Sequence, residues 1–169
     1  RNVNATALWM ASAKGHSSVV LALIQAGADP NIKAYKGYSP LLAAISKSHS
    51  VTAHILLKNR ADINAATDFG YTILHSAAYH GYIDIVEVLI EKGANINARE
   101  VFAHQTPLMC ASISGHTDTV KLLLENGADP NAKEKNGCTA IMHAWSKGYE
   151  DTVKVLTEVG AVLDKDISK

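Results

Sequence analysis

All eleven glycines of the chain fall at three positions of one repeating unit. Successive glycines of one series are 33 or 34 residues apart, or about twice that where one member is missing. A fixed period of this length is the signature of an array whose units each pack on their neighbours. The three series are Gly15, Gly81, Gly115 and Gly148; Gly27, Gly93, Gly127 and Gly160; and Gly37, Gly70 and Gly137.

The rest of the sequence follows the same register. Five copies open at a Thr or Ser, and a 25-residue step from each opening residue lands on an Asn or Asp. In the third copy, apolar residues recur at helical spacing on both sides of His80 and Gly81, which predicts two short helices joined by a turn. The opening residues are predicted helix N-caps, and Pro40 and Pro107 follow at the first helical position. The copies open with TALWMASAKGH, SPLLAAISKSH, TILHSAAYHGY, TPLMCASISGH and TAIMHAWSKGY.

A 33-residue repeat with a T-P-L-H-x-A start resembles the ankyrin repeat, and the resemblance covers nearly the whole chain. It implies an all-α solenoid of stacked helix-turn-helix pairs with β-hairpin-like fingers, curved in a right-handed array with a concave binding face. The first predicted repeat has a truncated start, the fourth has a finger one residue longer, and the fifth is predicted to be the C-terminal cap. The predicted repeats are residues 1–33, 34–66, 67–99, 100–133 and 134–164, followed by a tail at 165–169.

Composition excludes several classes of protein. The longest apolar runs, such as Val19 to Ile24, are too short to span a bilayer, so we expect a soluble protein without membrane insertion. Sixteen basic and sixteen acidic residues cancel, which argues against nucleic-acid binding. Cys110 and Cys138 form neither a disulfide framework nor a zinc pattern, which favours an intracellular, cytoplasmic setting, with the nucleus or a secreted effector as alternatives. Because the chain opens inside a repeat, we expect it to be part of a longer protein.

The sequence contains no recognisable catalytic motif, so we predict no enzymatic activity, no cofactor and no metal site. The resemblance instead implies that the fingers and first helices contact a partner. Of ten aromatic residues, five fall in the fingers and Tyr79 falls at the end of a first helix, and lysines are common at the same positions, while the second helices lean acidic. We expect a monomer that binds an acidic-apolar protein or peptide. The predicted binding residues are Tyr35, Lys36, Tyr38, Lys47, Phe69, Tyr71, Tyr79, His80, Phe102, Gln105, Ile113, Trp145 and Lys147.

Some features allow two interpretations. Phe69 and Tyr71 either anchor a partner or pack on neighbouring fingers. The longer finger, with Phe102, is either a specificity element or an accommodated insertion. Trp145 either extends the binding surface or closes the array. Ser48 and Arg60 replace helix-end glycines, which predicts that the second copy is the least stable internal repeat. Resemblance alone further implies possible hydroxylation of the repeated asparagines, whose simpler role is to hold a turn: Asn31, Asn64, Asn97 and Asn131.

The leading functional hypothesis is a protein-interaction module, a scaffold or adaptor. One alternative is a small-molecule or nucleotide sensor that uses the same groove, although no glycine-rich phosphate loop supports it. Another is the substrate-recruiting or regulatory domain of a larger enzyme. Fold-level analogy does not choose among these, because the function depends on the site.

Overall fold

The computed structural model describes residues 6–162, which form five consecutive helix pairs. Each pair lies within one of the predicted repeat ranges. Asp164, the predicted end of the fifth copy, and the predicted tail lie outside the described residues. The helices are α1 (Ala7–Ala13), α2 (Ser17–Gln25), α3 (Pro40–Ser46), α4 (Ser50–Lys58), α5 (Ile73–His80), α6 (Ile83–Glu91), α7 (Pro107–Ile113), α8 (Thr117–Glu125), α9 (Ala140–Ser146) and α10 (Glu150–Glu158).

Four of the five first helices begin with a side-chain cap. The hydroxyls of Thr6, Ser39, Thr72 and Thr106 each accept a hydrogen bond from the backbone N–H three residues later, which satisfies a donor that the helix leaves unpaired. Thr139 occupies the same position, but its hydroxyl makes no capping bond and is buried without a partner among residues 6–162. The predicted cap is therefore wrong for α9.

The helix ends adopt the left-handed backbone that the glycine series predicts. Every glycine has a positive φ, and Ser48, Arg60 and His104 take the same conformation, each at φ 63, where other copies carry glycine. A left-handed non-glycine residue costs about 1–2 kcal/mol. The second copy contains two of these three residues, in keeping with the prediction that it is the least stable internal repeat.

The helices form two rows around one continuous apolar core. Each first helix packs on the next, and the row of first helices is more densely packed than the row of second helices. Leu41, Leu42, Leu74 and Leu89 belong to this core and are fully or almost fully buried. Helices this short depend on such stacking for their stability.

The outer row is least closely packed between α4 and α6. Here His54 Nε2 lies 3.0 Å from Asp84 Oδ2, while His54 Nδ1–H donates to the carbonyl oxygen of Ser50 at 2.9 Å. The His54 ring therefore links α4 to Asp84 of α6 across the gap that apolar packing leaves.

Each finger is a turn whose first and last residues are joined by a backbone hydrogen bond. The fingers are residues 34–38, 67–71, 100–105 and 134–138, and in each the first N–H donates to the last carbonyl oxygen at 2.8–3.1 Å. Residues 6–162 contain no β-strand, and an isolated bridge between Ala66 and Thr72 is the extent of β-pairing. Adjacent fingers are joined by further backbone bonds, from Asp68 to Lys36, from Val101 to Phe69 and from Lys135 to Ala103.

No helix in the described part of the chain is both long and apolar enough to cross a membrane. Across the same residues, no group of three or more His, Cys, Asp or Glu side chains is arranged to hold a metal ion.

Candidate functional site

The row of first helices presents one side-chain position toward the fingers, seven residues after each opening Thr or Ser. Tyr79 occupies it in the third copy and is 46% exposed, with its ring edge-on to His80 at 5.3 Å. Its neighbours in the groove include Tyr71. The row is bulky in the middle and small at both ends, in the order Ala13, Ser46, Tyr79, Ile113 and Ser146.

Where the row is small, a cavity of about 290 Å³ opens between α1, α3 and the 34–38 finger. It brings together four of the predicted binding residues, Tyr35, Lys36, Tyr38 and Lys47, and adds Trp9. Trp9 is not among the predicted binding residues, although it stands at the repeat position that His75 occupies in the third copy. The remaining lining is small: Ala13, Ala34, Ala43 and Ser46.

The 34–38 finger has an unusual backbone at the mouth of this cavity. Lys36 and Gly37 are both left-handed, with φ of 60 and 77. Lys36 Nζ lies 5.4 Å from the centre of the Tyr35 ring and 5.9 Å from that of Phe69, within the range of a cation–π interaction. The ammonium group is therefore held between two aromatic rings on the finger surface.

Phe69 and Phe102 meet at the tips of adjacent fingers, with their ring centres 4.9 Å apart. Phe69 is half-buried by this contact, while Phe102 remains 64% exposed. Of the two interpretations given for each ring, the structure shows packing between fingers, and a partner-binding role for Phe69 or Phe102 stays a prediction. Phe69 packs on the neighbouring finger, and Phe102 presents an aromatic face to solvent.

The Tyr71 side chain is partly buried, unlike the exposed aromatic side chain expected of a residue that anchors a partner. Burial is the main cause that raises the pKa of its hydroxyl, and the neighbouring Cys110 thiol raises it further. The Tyr71 ring lies 5.1 Å from the His75 ring. Burial in turn lowers the pKa of His75, which is held by Thr72 through Nδ1 and donates Nε2–H to the Gln105 carbonyl oxygen at 3.0 Å.

The longer finger, residues 100–105, is organised around a buried carboxylate. Glu100 accepts hydrogen bonds from the backbone N–H groups of Phe102, Ala103 and Gln105. Burial alone raises the pKa of a carboxyl, but these backbone donors outweigh it and hold the pKa of Glu100 below its usual value. The extra residue therefore forms an internally bonded turn that projects Phe102 outward.

The Gln105 side chain is used inside the protein. Its Nε2–H donates to Glu134 Oε1 at 2.8 Å, and His143 Nε2 lies 2.9 Å from the same oxygen. This network joins the 100–105 and 134–138 fingers to α9. We infer that the Gln105 side-chain amide is used mainly for this internal hydrogen-bond network and less for binding a partner.

Trp145 lies at the end of the stack rather than in the groove. It is 63% exposed, whereas the equivalent residues of the other four copies are fully buried by the next helix pair. Within residues 6–162 no further pair covers it. Those equivalent residues are Ser12, Ile45, Ala78 and Ser112.

Three other predicted residues lie at the ends of first helices. Lys147 is exposed and Ile113 is half-buried. His80 is half-buried, with its ring stacked on Tyr82 at 5.6 Å. Burial, and to a smaller degree His116, lower the pKa of His80, so the ring faces the turn between helices as well as the groove.

The repeated asparagines link successive copies. Asn31 Nδ2 donates to the Arg60 carbonyl oxygen at 3.1 Å, and its Oδ1 accepts from the Asp62 N–H at 2.7 Å. Asn97 makes the corresponding two bonds between the third and fourth copies, to the Gly127 carbonyl oxygen and from the Asp129 N–H. The Asn131 Oδ1 accepts a hydrogen bond from the Val162 N–H. All four asparagines, including Asn64, are exposed. A structural role is evident for three of them, and hydroxylation stays a prediction.

Charge is divided between the two faces. The lysines of the fingers and first-helix ends are exposed, as are the acidic residues of the second helices. The inner face is therefore aromatic and mildly basic, and the outer face is acidic. The lysines are Lys14, Lys36, Lys47, Lys135 and Lys147, and the acidic residues are Asp84, Glu87, Glu91, Asp118, Glu125, Glu150, Asp151 and Glu158.

Comparison with known proteins gives a family match over almost all of the chain. A family model described as ankyrin repeats, in three copies, matches residues 7–100 and residues 101–167. Two curated relatives, protein phosphatase 1 regulatory subunit 12A of Mus musculus and of Rattus norvegicus, are each 59% identical over 39 residues. That segment is 23% of this chain but only 4% of either relative, so the likeness to those two proteins is local.

Proposed function

The chain belongs to the ankyrin repeat family, and from that membership we propose that it is a protein-interaction module, a scaffold or adaptor, that binds a partner on its fingers and first helices. Ankyrin repeats generally mediate contacts between proteins, and the family suggests a non-catalytic role. Because the same fold serves many unrelated partners, the proposal depends on the surface itself.

The observation that carries the proposal is the exposure of large aromatic side chains on one face. Tyr35 is 66% exposed, Phe102 64% and Tyr79 46%. Aromatic residues supply much of the binding energy at protein interfaces and are concentrated at their hot spots. Three of them along one groove favour a partner that covers the groove.

The charge of the inner face supports an acidic-apolar partner. Lys36 and Lys47 are exposed beside Tyr35 and Tyr38, whereas the acidic residues lie on the second helices. Complementary charge raises the rate of association and disfavours basic partners. We propose that the module is monomeric and works inside the cell, since Cys110 and Cys138 are both free thiols.

A pull-down with wild-type protein and two variants tests this proposal. Tyr79→Ala removes a groove aromatic, and Val51→Ala is the matched control because Val51 is 65% exposed on the outer helix α4. We expect Tyr79→Ala to weaken binding of a captured partner by about 2 kcal/mol, roughly 30-fold in Kd. We expect Val51→Ala to bind the partner as the wild type does. A partner retained equally by all three folded proteins contradicts the role of Tyr79, and no retained protein favours the small-ligand alternative.

A narrower second candidate is a regulatory or substrate-recruiting domain of a larger enzyme. The 39-residue likeness to a phosphatase regulatory subunit is the observation that favours it. In that case the captured protein is a phosphatase catalytic subunit, and the washed beads hydrolyse a phosphopeptide. Beads with a bound partner but without this activity exclude the phosphatase form of the candidate.

A further inference from the structure

We propose that the cavity between α1, α3 and the 34–38 finger receives an aromatic side chain of the partner, with an adjacent carboxylate bound by Lys36 and Lys47. This inference rests on the proposed function and specifies where the partner's anchor is bound. The cavity has a volume of about 290 Å³.

The cavity exists because small residues occupy positions that are bulky elsewhere in the array. Ala13 and Ser46 line it, and the equivalent residues of the third and fourth copies are Tyr79 and Ile113. The groove of the middle copies is thus filled by the protein's own side chains. The first two copies leave that space open, where a partner's side chain can take the place of the missing one.

Trp9 forms one wall of this cavity. It stands at the repeat position of His75, whose Nε2–H donates to the Gln105 carbonyl oxygen at 3.0 Å. The indole Nε1–H of Trp9 is closed off from solvent and has no acceptor among residues 6–162. The contribution of Trp9 to the cavity is therefore the apolar surface of its ring, against which a partner's aromatic ring can pack.

The positive charge beside the cavity favours an acidic residue next to the partner's aromatic side chain. Lys36 and Lys47 both line the cavity and are exposed, and no carboxylate in the described part of the chain forms an ion pair with either. Lys36 is also held in place by the rings of Tyr35 and Phe69. Two free ammonium groups beside an apolar recess match an Asp or Glu next to an aromatic residue.

The size of the cavity suits one aromatic side chain. A dry cavity of about 150 Å³ accommodates one benzene ring. A volume of about 290 Å³ is therefore enough for one aromatic ring and its adjoining backbone.

Selection from a phage library of random 12-residue peptides on the wild-type chain tests the inference. We expect enriched peptides to carry Phe, Tyr or Trp within two residues of Asp or Glu. Ala13→Tyr fills the cavity with the side chain that the third copy carries naturally at that position, and Ser146→Tyr is its control in the fifth copy. Lys47→Glu reverses the charge at the rim, and Lys154→Glu, at an exposed lysine of the outer helix α10, is the matched control.

For an enriched peptide, we expect Kd to rise at least tenfold in Ala13→Tyr and Lys47→Glu and less than twofold in the controls, all verified as folded by circular dichroism. The indole N–H signal of Trp9 in a two-dimensional NMR spectrum, assigned with Trp9→Phe, shifts on peptide binding. Peptides that bind all variants equally overturn the cavity site and leave the proposed function standing. A library without any enriched peptide contradicts the proposed function as well.

Discussion

At the scale of the residue, Glu100 shows how a single side chain accommodates an insertion. The 100–105 finger has one residue more than the others, and its freed backbone N–H groups converge on the Glu100 carboxylate. His104 takes the left-handed conformation that glycine supplies in other fingers. A charged acceptor for several N–H groups is stronger than a neutral one, which makes this turn rigid enough to hold Phe102 outward.

Replacing Glu100 with Gln removes the charge and one of the two acceptor oxygens. We expect this variant to lose about 1–2 kcal/mol of unfolding free energy at pH 7. Since the folded-state pKa of Glu100 is lowered, its contribution is complete above the ordinary pKa of 4.5 and is lost as pH falls through the folded-state value. Urea denaturation at pH 7 and at pH 3 measures both. An equal difference between the two proteins at both pH values contradicts the role given to the charge.

The two cysteines differ in accessibility, which predicts different reactivity. Cys110 is 2% exposed, and burial raises the pKa of its thiol to about 12. Cys138 lies at the end of a finger and is partly exposed. Because the thiolate is the reactive form, a thiol reagent at pH 8 should modify Cys138 within minutes and Cys110 only on unfolding. Rapid modification of Cys110 in Cys138→Ser, with the fold intact by circular dichroism, contradicts the burial of this thiol.

Individual side-chain directions were the least predictable part of the site. The sequence places Tyr71 in a finger, but its hydroxyl reaches inward to Cys110, which lies 39 residues farther along the chain. Trp9 replaces the histidine of the T-P-L-H start, but its place in the cavity depends on the small size of Ala13 and Ser46, which belong to two different copies. Such contacts arise from packing between copies and are not visible in the pattern of one copy.

At the scale of the element, the turns between helices are locked by rings from the following copy. A Cβ atom on Gly115 would lie 2.8 Å from the Tyr149 ring, and one on Gly81 would lie 2.6 Å from the His116 ring. These glycines are required both by their left-handed backbone and by the close ring. Tyr149 and His116 each follow the glycine that ends the first helix of their own copy, and their rings pack on the corresponding glycine of the previous copy.

Gly115→Ala and Gly127→Ala separate these two requirements. Both glycines are left-handed, but a Cβ on Gly127 meets nothing within 4 Å. We expect Gly127→Ala to cost about 1–2 kcal/mol of unfolding free energy from backbone strain alone, and Gly115→Ala to cost at least about 1 kcal/mol more because the Tyr149 ring must move. Urea titration of the two variants compares them directly. If the two substitutions destabilise the protein equally, packing of the Tyr149 ring is not a reason why position 115 requires glycine.

The elements themselves were largely predictable from the sequence. The register of Thr and Ser caps located the first helices, and the glycine series located their ends. The unpaired hydroxyl of Thr139 is an exception, because a suitable cap residue does not guarantee a capping bond. The length of the 100–105 finger was also visible, whereas the carboxylate that organises it was not.

At the scale of the whole molecule, an ankyrin array presents a long inner face built from equivalent positions of successive copies. Its composition changes along that face, from a cavity in the first two copies to the exposed aromatics Tyr79 and Phe102 in the middle. The periodicity of the sequence determines this architecture because each copy packs only on its neighbours. The exact repeat boundaries and the identity of the partner stay predictions.

A hydrogen-exchange footprint of the captured partner on this chain tests the central claim most directly. Our account predicts slower exchange on binding at the 34–38, 67–71 and 100–105 fingers and at the ends of α3 and α5, with no change along α4, α6 and α8. Protection confined to those three second helices would place the partner on the acidic outer face and contradict the account.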